Sequence, residues 1–308
     1  MSAMKPIERF DPDLMGGSLL EAEHLARYRW AGALAEGKRV LDAGCGTGYG
    51  SELLASQGAA EVVGVDVDAD AIDTASRADS RRATFAVADL RDLPADLGEF
   101  DVVVCFEVLE HIREPEVALD RLAAVLRPGG ILVVSSPNRD VYPPGNPFHE
   151  HEFTPEELAE SLSTRFAHVR LVRQQDWLAA GLFDDDDFAR VEAQAVSVAK
   201  TRPGQPGKEL YSIGVAGGSP LPATPPFVML TQTADVKWWQ ELLQSLRDEV
   251  AAKSRHVDDL EGWLKERDAE LAAAQTEIAA MQATRAWRLG LRYWDVRDRL
   301  LKRSRRRS

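Results

Sequence analysis

The stretch VLDAGCGTGYGSELLA, residues 40–55, decides the fold of this 308-residue chain. A short apolar run ends in three glycines at alternate positions, Gly44, Gly46 and Gly48, and a helical pattern follows at once. Glycines between a strand and a helix N-terminus let the backbone approach a ligand closely. The stretch therefore predicts a strand, a ligand-binding loop and a helix, in that order.

The alternation of strand and helix continues through the first two-thirds of the chain. The strand-like runs are RVLDAG, EVVGVDV, ATFAVADL, FDVVVCFEV, GGILVVSSPN, HVRLVRQQ and KELYSIGVA. Several of them are apolar on nearly every residue, as strands buried on both faces are. We therefore expect an α/β fold with a seven-stranded, mostly parallel sheet and helices on both faces.

An acidic residue at the end of the second predicted strand indicates an adenosine-containing ligand. Asp66 closes VVGVD twenty residues after Gly46, where a carboxylate can accept both hydroxyls of a ribose. NAD is one candidate, but the dinucleotide fingerprint requires a glycine where this chain has Tyr49. Asp42, two residues before the first glycine, would repel a pyrophosphate and favours a cationic sulfonium with an amino-acid tail.

Four motifs in the family's order, the fourth of them made of two segments, resemble class I S-adenosylmethionine-dependent methyltransferases. LDAGCGTGYG resembles their motif I, VVGVDVDADAI their ribose-binding segment, and VADLRDLP the adenine-contacting end of their third strand. FDVVVCFEVLEHI and LRPGGILVVSSPN resemble their fourth and fifth strands. The resemblance covers about residues 24–216 and implies a Rossmann-like sheet with S-adenosylmethionine as the cofactor.

The resemblance also implies a role for each matching position. The expected cofactor residues are Asp42, Gly44, Gly46 and Gly48 along the methionine part, Asp66 at the ribose, Val67 beside the adenine, Asp89 at the adenine amino group with Leu90 next to it, and Phe106 and Glu107 towards the sulfonium. Phe106 would also fit the hydrophobic core.

The segment NPFHEHEFTPEEL, residues 146–158, follows the fifth strand, where the family places acceptor contacts. His149 and His151 are candidate general bases, and on an extended segment they would point the same way. The alternative is that one of them packs before a helix whose Thr154 and Glu157 form a capping box. A His-x-His pair can also bind a metal, but no third ligand is identifiable, so we expect none.

The N-terminal segment ERFDPDLMGGSLLEAEHLARYRWAGAL resembles the leading helix of methyltransferases from bacterial glycan and O-antigen-type gene clusters. There the helix covers the cofactor, so Arg27 and Tyr28 are the expected lid contacts. The acidic run Asp184–Asp187 needs no metal, because carboxylates before a helix favour its positive end.

The chain changes character after residue 216. We expect a methyltransferase domain over 1–216, a Pro/Gly-rich linker over 217–234, a coiled-coil helix over 235–284 and a basic amphipathic tail over 285–308. The seven-residue spacing that predicts the coiled coil runs through Leu243, Val250, Val257, Leu264, Leu271 and Ile278. The alternative is an amphipathic helix folded back on the body.

Charge separates the tail from the rest of the chain. Residues 285–308 hold ten Lys or Arg and two Asp, which leaves −21 on the rest of a chain whose net charge is −13. A basic helix with Trp and Leu suits an anionic membrane surface. An acidic body would repel nucleic acid, so a membrane surface or a membrane-bound partner is favoured over nucleic acid or a solvated tail.

These features lead to one preferred function and two alternatives. The preferred function is O-methylation of a sugar hydroxyl in a cell-surface glycan or its lipid-linked precursor, by an enzyme held peripherally at the inner membrane face. The alternatives are a methyltransferase for a small molecule such as a quinone precursor, and a cofactor-binding scaffold whose coiled coil makes a homo-oligomer or recruits glycosyltransferases. The N-terminus lacks a signal-peptide core and only two cysteines are present, which favours the cytoplasm.

Overall fold

A computed structural model supplies the coordinates of the chain. The residues that the structure describes are 18–77, 82–94, 97–143, 146–177, 182, 184–189, 198, 200, 202–229 and 236–304. The segment before Ser18 and most of residues 188–200, where a helix is expected after the acidic run, lie outside these residues. The chain divides into two compact units, Met1–Ala234 and Asp235–Ser308.

The first unit contains all seven expected strands. Their bounds are β1 (Arg39–Ala43), β2 (Glu61–Asp66), β3 (Ala83–Val87), β4 (Phe100–Phe106), β5 (Leu126–Pro137), β6 (His168–Gln174) and β7 (Tyr211–Gly217). They form one sheet in the order β3-β2-β1-β4-β5-β7-β6. The strands β3, β2, β1, β4 and β5 are parallel to one another, whereas β7 runs antiparallel to both β5 and β6. The expected mostly parallel sheet is confirmed.

Helices cover both faces of the sheet. Their bounds are α1 (Leu19–Ala35), α2 (Tyr49–Ser56), α3 (Ala69–Ala75), α4 (Pro115–Ala124), α5 (Pro155–Ser163) and α6 (Asp185–Ala189), with a 3-10 turn at Leu109–His111. Thr154 and Glu157 form the expected capping box at the start of α5. The chemistry of single residues thus sets where this helix begins.

Successive residues of a strand point to opposite faces, and the two cores follow from this alternation. Leu41 of β1 packs with Leu119 of α4 and Leu158 of α5 on one face. Its neighbour Val40 packs with Trp30 of α1 on the other face, where α2 also lies. Two apolar layers therefore hold a strand such as β1 from both sides, which explains its almost uniformly apolar sequence.

The topology places the site at one edge of the sheet. β1 lies between β2 and β4, so the chain leaves β1 towards one side first and returns to the other side later. Ligands of such sheets bind beyond the carboxyl ends of the strands at this reversal. The glycine loop follows β1 at this point, and the segment FEVLEH follows β4 beside it.

The predicted linker does not begin as a free segment. Leu221 packs against the core on the α1 face. Arg170 of β6 donates from Nη2 to the carbonyl of Pro222 at 2.9 Å and to the hydroxyl of Thr224 at 3.0 Å. The first half of the expected linker therefore lies on the first unit.

The second unit consists of two helices, α7 (Val236–Ala283) and α8 (Arg285–Ser304). The apolar heptad residues Val250, Val257 and Leu264 on α7 are each more than half exposed. Trp287, Leu291 and Trp294 on α8 are 44–56% exposed. No helix in the described part of the chain has both the length and the apolar character of a transmembrane span.

Candidate active site

The glycine loop between β1 and α2 has a left-handed backbone at each of its three glycines. Gly44 has φ +81°, Gly46 +56° and Gly48 +86°. A Cβ on Gly44 would lie 2.3 Å from Val108 Cγ2, and a Cβ on Gly48 would lie 2.8 Å from Ala75 Cβ. Glycine is therefore required twice over here, by backbone conformation and by close packing.

Asp66 joins the glycine loop to the end of β2. Its Oδ2 accepts the amide of Gly46 at 2.9 Å, and its Oδ1 accepts the amide of Asp68 at 2.9 Å. The residue is 9% exposed. Two backbone donors thus fix a carboxylate at the sheet edge where a ribose is expected.

A cavity of about 270 Å³ opens beside this carboxylate. Five of the ten expected cofactor residues line it: Gly44, Asp66, Val67, Asp89 and Leu90. Val67 is 69% exposed, so its apolar side chain is accessible for packing against an aromatic base. Asp42, Gly46, Gly48, Phe106 and Glu107 do not line this cavity.

Asp42 is fully buried, unlike a side chain that faces a ligand. Its Oδ1 accepts the hydroxyl of Tyr28 at 3.0 Å, and its Oδ2 accepts the hydroxyl of Ser51 at 2.6 Å. Burial raises the pKa of Asp42 to about 6, and the two hydrogen bonds act against this rise. In this structure Asp42 connects β1 to α1 and α2, a role that its place before the glycines did not indicate.

Asp89, the expected partner of the adenine amino group, is paired with a neighbour. Its two carboxylate oxygens accept from the guanidinium of Arg91, with Nη2 at 2.6 Å from Oδ2. Hydrogen bonds from the side chain and amide of Arg91 lower the pKa of Asp89. Asp89 is therefore a charged acceptor at the mouth of the cavity, next to an exposed arginine.

Glu107 follows β4 directly and is the one non-glycine with a left-handed backbone in the described part of the chain, at φ +54°. Ser135 of β5 donates its hydroxyl to Glu107 Oε1 at 2.6 Å and accepts the Glu107 amide at 3.0 Å. Strained backbone held this firmly by its surroundings is characteristic of functional sites. Its neighbour Phe106 is buried against the ring of Tyr28. Phe106 therefore lies in the hydrophobic core, the alternative position expected for it from the sequence.

Arg27 of α1 lies beside Glu107 and is almost completely buried. Its Nη1 donates to Gln174 at 2.9 Å and lies 3.8 Å from Glu107 Oε1. Its guanidinium carbon lies 4.7 Å from the ring centre of Tyr211. Nε and Nη2 are buried and have no hydrogen-bond partner within the described residues. A buried cation with unused donors is suited to a ligand carboxylate, which is what the methionine part would bring.

The two histidines of the acceptor segment do not act as the aligned pair that an extended segment would give. The acceptor segment contains a turn at Pro147 and Phe148 and a bend at Glu150, and the amides of Glu150 and His151 both donate to the carbonyl of Glu110. His151 packs edge-on against Phe153, with ring centres 4.6 Å apart. His149 instead lies 4.9 Å from the ring of His111.

His149 belongs to a group of polar side chains beyond β4. Glu110, His111 and His149 each offer one ligand atom, and these atoms lie within 4.8 Å of one another. The segment LEH thus supplies two of the three possible ligands, which the sequence did not reveal, and His151 is not among the three. Burial raises the pKa of Glu110 well above its ordinary value, and Glu107 raises it further.

Aromatic rings and carboxyl groups surround the remaining side of the site. The ring of Tyr142 stacks on that of His149 at 5.9 Å and lies 5.7 Å from that of Tyr211. Tyr211 donates its hydroxyl to Glu23 at 2.8 Å. Sequence reasoning missed Tyr142, Tyr211, Glu23 and Glu110, since nothing near them in the chain marks them as parts of one site.

Comparison with known proteins gives a family. The family described as a methyltransferase domain matches residues 21–190. A probable S-adenosylmethionine-dependent methyltransferase of Mycolicibacterium smegmatis is 38% identical over 192 residues, which are 61% of this chain and 71% of that one. A ubiquinone biosynthesis O-methyltransferase of Coxiella burnetii is 40% identical over 108 residues, 34% of this chain and less than half of that protein, 46%.

A solved structure, the N-methyltransferase NodS from Bradyrhizobium japonicum with S-adenosyl-L-homocysteine, has 20% identity and a TM-score of 0.48. It covers 68% of this chain and 92% of its own. The family match spans more than half of the chain and includes the glycine loop, Asp66 and Asp89. The chain therefore belongs to the class I S-adenosylmethionine-dependent methyltransferases, and S-adenosylmethionine is its cofactor.

Proposed function

We propose that this enzyme methylates a sugar hydroxyl in a cell-surface glycan or its lipid-linked precursor. In this reaction the hydroxyl oxygen attacks the methyl carbon of the sulfonium, and the carbon–sulfur bond breaks. Sulfur keeps the electron pair as a neutral thioether, and the proton of the hydroxyl leaves. The protein mainly aligns oxygen, methyl and sulfur, which is where proximity lowers the barrier most.

The acceptor class is inferred from the aromatic rings and carboxyl groups that lie beside Glu107. The partly exposed rings of Tyr142 and His149 stack with centres 5.9 Å apart, and Tyr142 lies 5.7 Å from the buried ring of Tyr211. The C–H face of a sugar ring is apolar and packs on such faces, while its hydroxyls need the hydrogen-bonding groups that Glu23 and Glu107 offer. The combination favours a sugar over a purely apolar acceptor.

Of the two candidate histidines, we assign to His149 the role of acting on the acceptor hydroxyl. His149 contacts Tyr142 and His111, and its Nδ1 is 2.5 Å from Glu152 Oε1, a carboxylate that orients the ring. His151 contacts Phe153, whose side chain is buried in the core. We therefore withdraw the catalytic role from His151.

The cofactor residues keep the roles that the family resemblance implies, with two changes. Asp66, Val67, Asp89 and Leu90 would hold the adenosine part, and the glycine loop the methionine part. The first change is that Asp42 acts indirectly, because Tyr28 and Ser51 occupy its oxygens. The second is that Arg27 would bind the methionine carboxylate through its unused donors, with Glu107 nearest the sulfonium.

The C-terminal helices would place the enzyme at the membrane. On a helical projection of α8, Arg285, Arg288, Arg292 and Arg299 fall on one side, and the apolar residues share the rest of the circumference with Arg297 and Asp298. Trp287, Leu291 and Trp294 are exposed. Such a helix binds anionic bilayers through apolar burial and about 1 kcal/mol for each basic residue near the surface. We further propose that α7 makes a homo-oligomer or binds a glycosyltransferase.

One comparison favours a second candidate, a small-molecule hydroxyl as acceptor. The Coxiella burnetii relative is named for ubiquinone biosynthesis, and its similarity covers 108 residues. A phenolic acceptor of this kind would also pack on Tyr142 and Tyr211. It would not need the C-terminal helices.

Methyl-labelled cofactor distinguishes these candidates. Purified enzyme is incubated with membrane and soluble fractions of the source cells, and labelled products are separated. We expect label in a membrane-associated saccharide, and little label when residues 285–308 are deleted. Label confined to a soluble small molecule, unaffected by the deletion, would replace the glycan by the second candidate. Label in neither fraction, with cofactor binding intact, would favour the scaffold.

A further inference from the structure

We propose that Glu110, His111 and His149 bind a divalent metal cation beside the acceptor. Their ligand atoms lie within 4.8 Å of one another, and they are the one such group of three found in the described part of the chain. Two imidazoles and one carboxylate are a donor set that Zn²⁺, Co²⁺ and Mn²⁺ accept. The binding stands on this geometry alone, whereas the catalytic use of the ion rests on the proposed function.

The hydrogen bonds of both imidazoles direct a lone pair to Nε2. His111 Nδ1 lies 3.2 Å from the carbonyl oxygen of Phe148, which can only accept, so Nδ1 carries the proton. His149 Nδ1 lies 2.5 Å from Glu152 Oε1 and donates to it in the same way. A metal-binding histidine characteristically donates its other ring N–H to a carbonyl or carboxylate. Here His111 donates to a carbonyl and His149 to a carboxylate.

Glu110 supplies an independent sign of a missing ligand. Its side chain is 1% exposed, and its Oε2 is buried without a hydrogen-bond partner among the described residues. Glu107 and Glu152 are near enough to repel the Glu110 carboxylate. A buried carboxyl group in an acidic neighbourhood must be neutralised, and either a proton or a bound cation can do this.

Binding requires a small contraction of the group. A tetrahedral ion with bonds of about 2.1 Å holds its ligand atoms about 3.4 Å apart, so the side chains must close by about 1 Å. At present Asn146 donates from Nδ2 to Nε2 of His149 at 2.8 Å. This hydrogen bond occupies the Nε2 lone pair that the ion would bind. Rotation of the Asn146 side chain would make that lone pair available to the ion.

The ion would give His149 a defined way to act on the acceptor. Three protein ligands leave at least one coordination position open, and a hydroxyl oxygen bound there has a lower pKa. His111 also lines the cavity that holds Asp66 and Asp89. The proposed ion therefore lies between the cofactor cavity and the acceptor segment, where the hydroxyl must meet the methyl group.

Cobalt binding tests the site without cofactor or acceptor. The full, tag-free chain is stripped with a chelator and titrated with Co²⁺, while the visible absorption of the ion is recorded. We expect one Co²⁺ per chain with an absorption band of a protein-bound ion, which one equivalent of Zn²⁺ abolishes. Absence of the band and of saturable binding by calorimetry would overturn the proposal.

The His-x-His segment offers matched variants. H149A and H111A should each weaken Co²⁺ binding at least about tenfold, the loss that removal of a mere orienting group already causes. H151A, two residues along and packed on Phe153, should bind like the wild type. E110Q should behave like H149A, and S-adenosylmethionine binding by each variant checks that it is folded. Equal affinity in H111A, H149A and H151A would overturn the assignment.

Failure of this site and failure of the proposed acceptor give different results. Absent Co²⁺ binding together with labelled saccharide would remove the ion and leave the glycan function standing. Normal Co²⁺ binding together with no labelled saccharide would remove the glycan acceptor and leave the metal site standing.

Discussion

Asp66 is the single side chain on which the cofactor site depends most. It accepts the amide of Gly46 from the glycine loop and the amide of Asp68 from the start of α3. Each oxygen thus accepts one backbone amide, and the ribose hydroxyls would bind to the same carboxylate. We propose that the same carboxylate both orders the glycine loop and binds the ribose of the cofactor.

Replacing Asp66 by Asn tests this double role. Asn keeps the size but loses the charge, and its NH2 group must face a backbone or ribose donor. Loss of one charge-assisted hydrogen bond, about 1.5–3 kcal/mol, weakens cofactor binding roughly 10- to 150-fold. Titration calorimetry with S-adenosylmethionine measures the change. D70N, on the exposed side of α3, is the control, and an affinity of D66N equal to that of D70N would contradict the assignment.

Gly44 allows backbone strain and steric contact to be separated by experiment. G44A would place Cβ 2.3 Å from Val108 Cγ2 at φ +81°, whereas G37A, at φ +68°, meets nothing within 4 Å. We expect G37A to lose about 1–2 kcal/mol of unfolding free energy from its backbone alone, and G44A to lose clearly more. Urea denaturation measures both. Adding V108A to G44A should reduce its loss of unfolding free energy towards that of G37A. Equal losses in G44A and G37A would show that contact with Val108 does not contribute to the loss.

At the scale of the element, α1 is bound to the far edge of the sheet by buried polar contacts. Glu23 accepts the hydroxyl of Tyr211 on β7, and Gln174 on β6 donates to the Glu23 carbonyl at 3.0 Å. Gln174 also accepts from Arg27. These contacts, 147 to 188 residues apart in the chain, hold Arg27 beside Glu107.

The pKa of Glu23 makes this connection sensitive to pH. Burial raises that pKa from 4.5 to about 8, with a further contribution from Asp176. The folded protein keeps a proton that the unfolded chain releases above pH 4.5, so this contribution to stability is complete below that value. It is lost as the pH rises towards 8.

The variant E23Q mimics the protonated side chain at every pH. We expect the unfolding free energy of E23Q to fall less than that of the wild type between pH 4.5 and pH 8. Denaturant unfolding at several pH values measures the two slopes. E36Q, an exposed change at the end of the same helix, should follow the wild type. Parallel slopes for wild type and E23Q would contradict a raised pKa of Glu23.

At the scale of the whole molecule, the described site residues all belong to the unit Met1–Ala234. The unit Asp235–Ser308 contributes exposed apolar residues at heptad spacing and a basic helix. Apolar residues at every a position over this length are typical of helices that pair, although two of the d positions are basic. Catalysis and placement are thus assigned to different parts of the chain.

A charge in the heptad seam tests the proposed association. L264D places a carboxylate at an a position, and burial of that charge should dissociate the oligomer. A269D puts the same charge on the opposite side of α7 and should leave the oligomer intact. Sedimentation velocity distinguishes the two, and S-adenosylmethionine affinity should be unchanged in both. A monomeric wild type, or equal effects of the two variants, would contradict a coiled coil.

The sequence by itself determined the features that depend on neighbouring residues. The seven strands, the capped start of α5 and the glycine loop follow from local periodicity and backbone chemistry, and the family follows from four ordered motifs. The order of strands at the far edge did not follow, because β7 enters between β5 and β6 by pairing residues far apart in the chain.

Only the tertiary structure decided which polar groups meet. Tyr28 donates a hydrogen bond to Asp42. The ligand atoms of His149 lie close to those of Glu110 and His111, whereas His151, two residues away, packs on Phe153 instead. The amides of Glu150 and His151 turn towards one carbonyl of the segment after β4, and this nonlocal bond sets which way each histidine faces. Spacing along a chain predicts a face only where the backbone is regular, and the acceptor segment is not.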